Sequence, residues 1–271
     1  MNIYILTSGF TPFTDILLGG VIAAHHEHIG GIIVEDQAEN LETLTFEWRL
    51  LRKAGLRFVI YRLVERTFYC LTLLVKRILR KRQLQNGREL ARKYGIRISE
   101  TADVESSRFR RFFREQKPDL ILLVGYTNIL TKKFLRIPKI GTLGFHGGIL
   151  PYYRGLFPLF YALMYRAEIY GASLYEVERK IHSGKVVGHM ELPVCKKKSL
   201  AHHNFQLHRR GREWLRGMLG RVIKHGNIFY EPPAENGGFF GFPTKVKVRR
   251  FRRRVGCMMR VEDFREIWNN L

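Results

Sequence analysis

The chain has 271 residues, 45% hydrophobic and 26% charged, a composition that excludes a disordered tail and provides the core of one large α/β domain, or of a medium domain with an appendage. Its 47 Lys and Arg against 24 Asp and Glu give a formal charge of +23, which concentrates anions such as nucleic acid, acidic membrane or a phosphorylated small molecule without choosing among them; a general bias towards basic proteins gives the same figure. Cys70, Cys195 and Cys257 stand apart with no CxxC or histidine ligand spacing, so neither a zinc site nor a disulfide framework is indicated.

The first residues, MNIYILTSGF, lack the basic start and long apolar stretch of a secretory leader and read as a strand. The default expectation is therefore a cytoplasmic setting. A β-rich run over 3–7 ends at Ser8-Gly9, a helical pattern covers 14–28, and a second β-rich run covers 31–34. This β-loop-α-β opening predicts an α/β fold with a doubly wound, Rossmann-like, mostly parallel sheet. Ser8-Gly9 is not a GxGxxG loop, which disfavours a dinucleotide site.

Residues 39–95 form a basic insertion. Between Arg49 and Lys93 there are 14 Lys or Arg against Glu65 and Glu89 alone, and apolar residues from Leu56 to Ile78 recur at three- and four-residue steps. That spacing predicts two or more amphipathic helices, broken near Asn86-Gly87. The apolar stretch 68–75 is too short to span a bilayer. A basic amphipathic helix can lie on an anionic membrane, making the protein membrane-peripheral, or pack on the domain with a solvated basic face.

Strands follow over 95–98, 119–124 and 142–145, with a helix over 106–116 between the first two; then come a helix over 156–165, strands over 171–177 and 186–192, and a long helix over 200–225. The expected division is an α/β domain over 1–195 and an extension over 196–271 made of that helix and a basic, β-rich tail, where eight Lys or Arg from Lys245 to Arg260 meet no acid. The tail is a second candidate surface for RNA or acidic lipid. Parallel sheets open their ligand crevice beyond the strand carboxyl ends. Ser8-Gly9, Gly125-Tyr126 and His146-Gly147-Gly148 should therefore converge on one cleft.

The passage GTLGFHGGILPYYRG and, further on, GASLYEVERKIHSG carry the chemistry. A histidine follows a strand at His146, Arg154-Gly155 offers a guanidinium for an anionic group, and His182 sits in a second loop; two loop histidines could shuttle protons near neutral pH. These residues resemble the motifs of formyltransferases that use 10-formyltetrahydrofolate, namely Asn-x-His-x-Ser-Leu-Leu-Pro-x-x-Arg-Gly, then Gly-x-Thr-x-His, then Asp-x-Gly. Gly144, His146, Gly148, Ile149, Leu150, Pro151, Arg154 and Gly155 match the first, Gly171, Ser173 and Tyr175 the second, and His182 and Gly184 the third, with spacing unbroken from 144 to 184. The wording at 151–155 looks more like the small sugar-type members than the tRNA enzymes.

The resemblance implies transfer of a formyl group from 10-formyltetrahydrofolate to a small-molecule amine, most plausibly on a nucleotide-linked amino sugar. It also implies His146 and His182 as catalytic candidates, Gly125, Tyr126 and Gly184 on the folate side, and Ser8, Gly9, Arg154 and Gly155 towards the substrate. The chain departs from the pattern where the chemistry lies. Gly144 replaces the asparagine, His182 the aspartate and Tyr175 the second histidine. Two outcomes stay open, a rerouted enzyme in which His182 acts as a neutral base, or a degenerate homologue that binds an anionic partner.

Overall fold

In the computed structural model, which describes residues 1–35, 41–79, 86–234 and 237–271, the side chains of 41–44 excepted, alternation along two strands builds the frame. In β1 (Ile3–Thr7), Ile3 and Ile5 join one apolar cluster while Tyr4 and Leu6 join another, and β4 (Leu120–Leu123) divides in the same way. Period-2 apolar residues on both faces mean that both faces must be covered. On one face lie α1 (Pro12–His25), α4 (Gly87–Lys93) and α8 (Leu200–His225); on the other, α5 (Ser107–Glu115) and α6 (Lys132–Leu135) supply Phe113 and Phe134, whose rings stack 5.7 Å apart.

The remaining strands of the sheet are β2 (Ile29–Glu35), β3 (Ile98–Thr101), β5 (Gly141–His146), β7 (Ile169–Glu176) and β8 (Val186–Pro193), after β6 (Tyr153–Gly155), which lies outside it. The order is β3-β2-β1-β4-β5-β7-β8, parallel from β3 to β5 and antiparallel from β5 to β8. This is the doubly wound, mostly parallel sheet expected. Strand β3 starts at Ile98 rather than at Gly95, because Gly95 turns at φ +67° after α4. The crossing of α1 with α8 is close. A Cβ on Gly20 would meet Arg212 Cγ at 2.5 Å, and the Arg212 guanidinium donates to the Ile16 carbonyl at 3.1 Å.

The basic insertion forms α2 (Leu41–Ala54) and α3 (Leu56–Ile78), and Asn86 caps α4, its side chain accepting from the Glu89 amide at 2.8 Å. Helix α3 packs inward through Phe58, Tyr61, Glu65, Tyr69 and Thr72, so the helical expectation for this segment holds. Its solvent side is not the basic face that a packed helix would show. Leu56, Ile60, Leu63, Leu71, Leu74 and Ile78 are all exposed.

The tail corrects the β-rich expectation. Only β9 (Gly238–Phe240) is a strand, paired in parallel with β6, and the basic run is the helix α9 (Lys245–Arg254), followed by α10 (Val261–Asn270). Val246 and Val248 alternate as strand residues do. Instead Val248 and Phe251, three residues apart, turn inward, Phe251 stacking on Phe160 of α7 (Pro158–Met164) at 4.7 Å, while Val246 is left exposed. Thr244 starts the helix by accepting from the Lys247 amide.

Buried Glu35, at the end of β2, accepts from the Val104 amide at 2.9 Å and from Tyr126 Oη and Asn128 Nδ2 at 2.6 Å each. It fastens the loop after β4, and removing it leaves those donors without their acceptor. Glu35→Ala is therefore expected to lower unfolding stability by roughly 1.5–3 kcal/mol in urea titrations, with faster amide exchange over 125–128.

Candidate active site

Strands β1, β4 and β5 end side by side, and the loops after β1 and β4 are hydrogen-bonded to one another. The Ser8 amide donates to the Gly125 carbonyl at 3.2 Å, and the Thr127 amide to Ser8 Oγ at 3.1 Å. Beyond these ends lies a cavity of about 410 Å³ whose wall includes Gly125, Tyr126, His146, Gly155, Tyr175 and His182. The convergence expected from strand order is thus observed for Gly125, Tyr126 and His146. Ser8 braces the loop after β4, Gly9 bonds to Thr7 of its own strand, and neither lines the cavity, and nor do Arg154 and Gly184.

His146 is buried at the end of β5, and its Nε2 lies 2.7 Å from the Tyr153 carbonyl. A carbonyl only accepts, so Nε2 carries the hydrogen and Nδ1 the lone pair. His182, in the left-handed region at φ +51°, lies against it with ring centroids 3.9 Å apart and the planes tilted by 35°, and its Nδ1 accepts from the Gly155 amide at 3.0 Å. The hydrogen of His182 is therefore on Nε2. Burial pushes His146 down to about 4 against the pull of its bond to Tyr153. Burial, with His146 and Arg154 nearby, pushes His182 down to about 3. Both rings are neutral at pH 7, and at that basicity His182 is a poor proton acceptor and a fixed donor.

The two histidine partners come from one short segment, Tyr153–Gly155, whose position depends on Arg154. Its Nη2 donates to the Gly237 carbonyl at 2.9 Å, across the β6–β9 pair. Here Arg154 holds backbone rather than a carboxylate. Ser173 ties the glycine turn, donating to the Gly148 carbonyl at 2.8 Å and accepting from the Leu150 amide at 2.9 Å.

The missing asparagine and second histidine turn out to be one feature. Gly144 and Tyr175 are cross-strand partners in β5 and β7, and a Cβ on Gly144 would lie 2.9 Å from Tyr175 Cε1. The phenol ring covers the position from which an asparagine side chain would project, and it meets His182 edge-on at 5.4 Å. Tyr175 is buried.

A second cavity, of about 330 Å³, lies on the other side of His146, Gly155 and Leu156, which line both. Its wall is largely aromatic and aliphatic, with Glu65 and Tyr61 from α3 and Asn204 and His208 from α8. Glu65 is 5% exposed; its Oε1 accepts from Tyr61 Oη at 2.9 Å and from Asn204 Nδ2 at 3.0 Å, and among the described residues its Oε2 has no hydrogen-bond partner. Burial raises Glu65 to about 7 despite those two bonds and the nearby Arg62. Sequence reasoning counted Glu65 only as a rare acid in a basic stretch. The signal was its place on the tyrosine face, four residues from both Tyr61 and Tyr69.

The comparisons with known proteins bear on the same elements. A family model described as formyl transferase matches residues 75–219, more than half of the chain. The chain belongs to the formyl transferase family. Among curated relatives, it is 25% identical over 145 residues to a methionyl-tRNA formyltransferase of Ruminiclostridium cellulolyticum, covering 54% of this chain and 46% of that one. The chain's match spans about half the length of the first such relatives. Among solved structures, it resembles a phosphoribosylglycinamide formyltransferase from Anaplasma phagocytophilum, with a TM-score of 0.58 at 16% identity, covering 88% of this chain and 98% of that one. A sugar N-formyltransferase from Shewanella sp. superposes with a TM-score of 0.57 at 13% identity, covering 89% and 77%. The fold is thereby that of the formyltransferases.

Two outcomes follow from this geometry. Gly144→Asn alone is expected to overpack the β5–β7 pair and cost about 1–3 kcal/mol of stability, recovered in part when Tyr175→His is added, since Val177 Cγ2 stays 3.0 Å from the same Cβ, as read from thermal unfolding midpoints. For Glu65, a folded value near 7 above an unfolded 4.5 means stability that is fully present below pH 4.5 and lost as pH rises through 7. Glu65→Gln should therefore gain on the native protein between pH 5 and pH 8, by up to roughly 3 kcal/mol in denaturant titrations at each pH.

Proposed function

We propose that the protein transfers a formyl group from 10-formyltetrahydrofolate to the amine of a nucleotide-linked amino sugar, the wording at 151–155 being closer to the sugar-type members than to the tRNA enzymes. The observation that carries this reading is that His146 belongs to the walls of two cavities at once, as a group-transfer reaction between two ligands requires. The first cavity suits the donor. Its volume is in the range of small-molecule sites, neutral imidazoles stand in its wall where a reacting carbonyl has to be polarised without a competing charge, and exposed Arg179 is available for the carboxylates of a glutamyl tail.

When bound, the donor supplies an activated formyl carbon. Around it the chain's own groups divide the work. Glu65 accepts a proton from the acceptor ammonium, freeing the nitrogen lone pair, which an ammonium lacks. His182 donates through Nε2–H to the formyl oxygen as negative charge grows on it, the role that the family pattern gives to asparagine and histidine. His146 offers Nδ1 as acceptor to the attacking amine while its Nε2–H stays on Tyr153. The remaining amine proton passes to the folate nitrogen that leaves, giving the formamide and tetrahydrofolate. A preorganised donor to such an oxygen contributes roughly 10²–10³ in rate.

The test is release of tetrahydrofolate by the pure protein with formyl donor and a panel of amino-sugar nucleotides. Wild-type turnover is expected, with no release above background for His146→Ala and a loss in kcat of about 10²-fold for His182→Ala. Absence of release from every acceptor in the panel counts against the reading. Because the base form of Glu65 fills in as pH passes 7, kcat/KM should rise through neutrality in the wild type and stay flat and low in Glu65→Gln.

A further inference from the structure

Helix α3 is amphipathic in the reverse of the usual sense. Its inner face buries Glu65, Thr72 and Lys76 among aromatics, while its outer face presents Leu56, Ile60, Leu63, Leu71, Leu74 and Ile78 at steps of three, four and eight residues. The exposures are high, 62% for Leu56, 63% for Leu63 and 69% for Ile78. At 100° per residue these side chains fall in one sector, widened by exposed Val64 and Val75 and interrupted midway by exposed Thr67, along a helix of about 35 Å. A single exposed leucine is ordinary, whereas eight exposed apolar side chains gathered in one sector of a helix mark an interaction surface.

The borders of the stripe say what covers it. Arg66 and Arg77 run along one edge and Arg57 along the other, all exposed, and the one acid of α3, Glu65, points away into the second cavity. An apolar sector with a cationic rim and no exposed acid matches the interface of an anionic bilayer, where the leucines enter the acyl boundary and the arginines meet headgroup phosphates. No helix of the described residues is long and apolar enough to cross a membrane, so the contact lies in the plane of the surface. A second copy fits less well. It would bring the same arginine rims together on a chain whose net charge is already +23.

We propose that the outer face of α3 seats the protein on an anionic lipid membrane, with the helix parallel to the surface. This goes beyond formyl transfer and does not depend on it. The inner face of the same helix lines the second cavity, so that cavity lies directly behind the membrane contact.

Sedimentation of the full chain with vesicles tests the proposal. Vesicles of phosphatidylglycerol and phosphatidylcholine in equal parts should carry the protein down, and phosphatidylcholine alone should do so weakly. The triple variant Leu63→Gln, Leu71→Gln, Leu74→Gln changes only exposed side chains, so its thermal midpoint should match the wild type while its vesicle affinity falls at least tenfold. Arg57→Gln with Arg66→Gln and Arg77→Gln should remove the preference for the anionic vesicles, and His146→Ala should sediment like the wild type whether or not turnover is found. The proposal is overturned if the wild type stays in solution, or if the leucine variant sediments as well as the wild type. It is equally overturned if vesicle binding is absent and those leucine changes instead dissolve a dimer seen by sedimentation velocity, or abolish binding to RNA.

Discussion

The site depends on two backbone hydrogen bonds from one three-residue strand. Tyr153 offers its carbonyl to His146 and Gly155 its amide to His182, at 2.7 and 3.0 Å, and together they fix which nitrogen of each ring carries the hydrogen. No carboxylate takes part in either bond. A carboxylate beside an imidazole would favour the imidazolium, whereas here burial works without opposition from a negative partner and both rings stay neutral. The strand β6 is itself held by β9, whose Phe239 and Phe240 also line the cavity, and by Arg154 on the Gly237 carbonyl. The protonation pattern of the site is thus set by packing more than 80 residues further along the chain.

Much of this frame was legible in the sequence because it rests on period and punctuation. The alternating faces of β1 and β4, the glycines after them, and the long stripe of α8 are local signals, and the motif spacing from 144 to 184 pointed to the family that the chain belongs to. The tail was misread for an equally local reason. Valines at 246 and 248 alternate like a strand, and only the aromatic surface of Phe160, far away in sequence, decides that Val248 and Phe251 are the pair that counts. The sequence offered the Arg154 guanidinium for an anionic group, and the acceptor it holds, the Gly237 carbonyl, leaves no trace in residue types.

Glu65 could not be found by motif because it comes from the insertion, outside the part of the chain that carries the formyltransferase pattern. Its placement needs three elements at once, α3 for Tyr61 and Glu65, α8 for Asn204, and β5 for His146 on the same wall. The insertion therefore does two unlike things with one helix. Its inward residues bring a carboxylate into the second cavity, beside His146, and its outward residues form the stripe of leucines and isoleucines. A shift of α3 by two residues, about 200° of rotation, would exchange the two sets, so the register of Phe58, Tyr61 and Tyr69 in the core fixes both faces together.

The contact between Gly144 and Tyr175 has a consequence for how this site and the family pattern can interconvert. Placing an asparagine at 144 first drives it into a buried ring, while shrinking Tyr175 first leaves only a void beside a glycine. The two substitutions are therefore ordered, with one sequence of steps open and the other obstructed. Glycine at 144 and tyrosine at 175 should accordingly appear and disappear as a pair, and a chain carrying one without the other would show a hole or a collision in the strand next to the site.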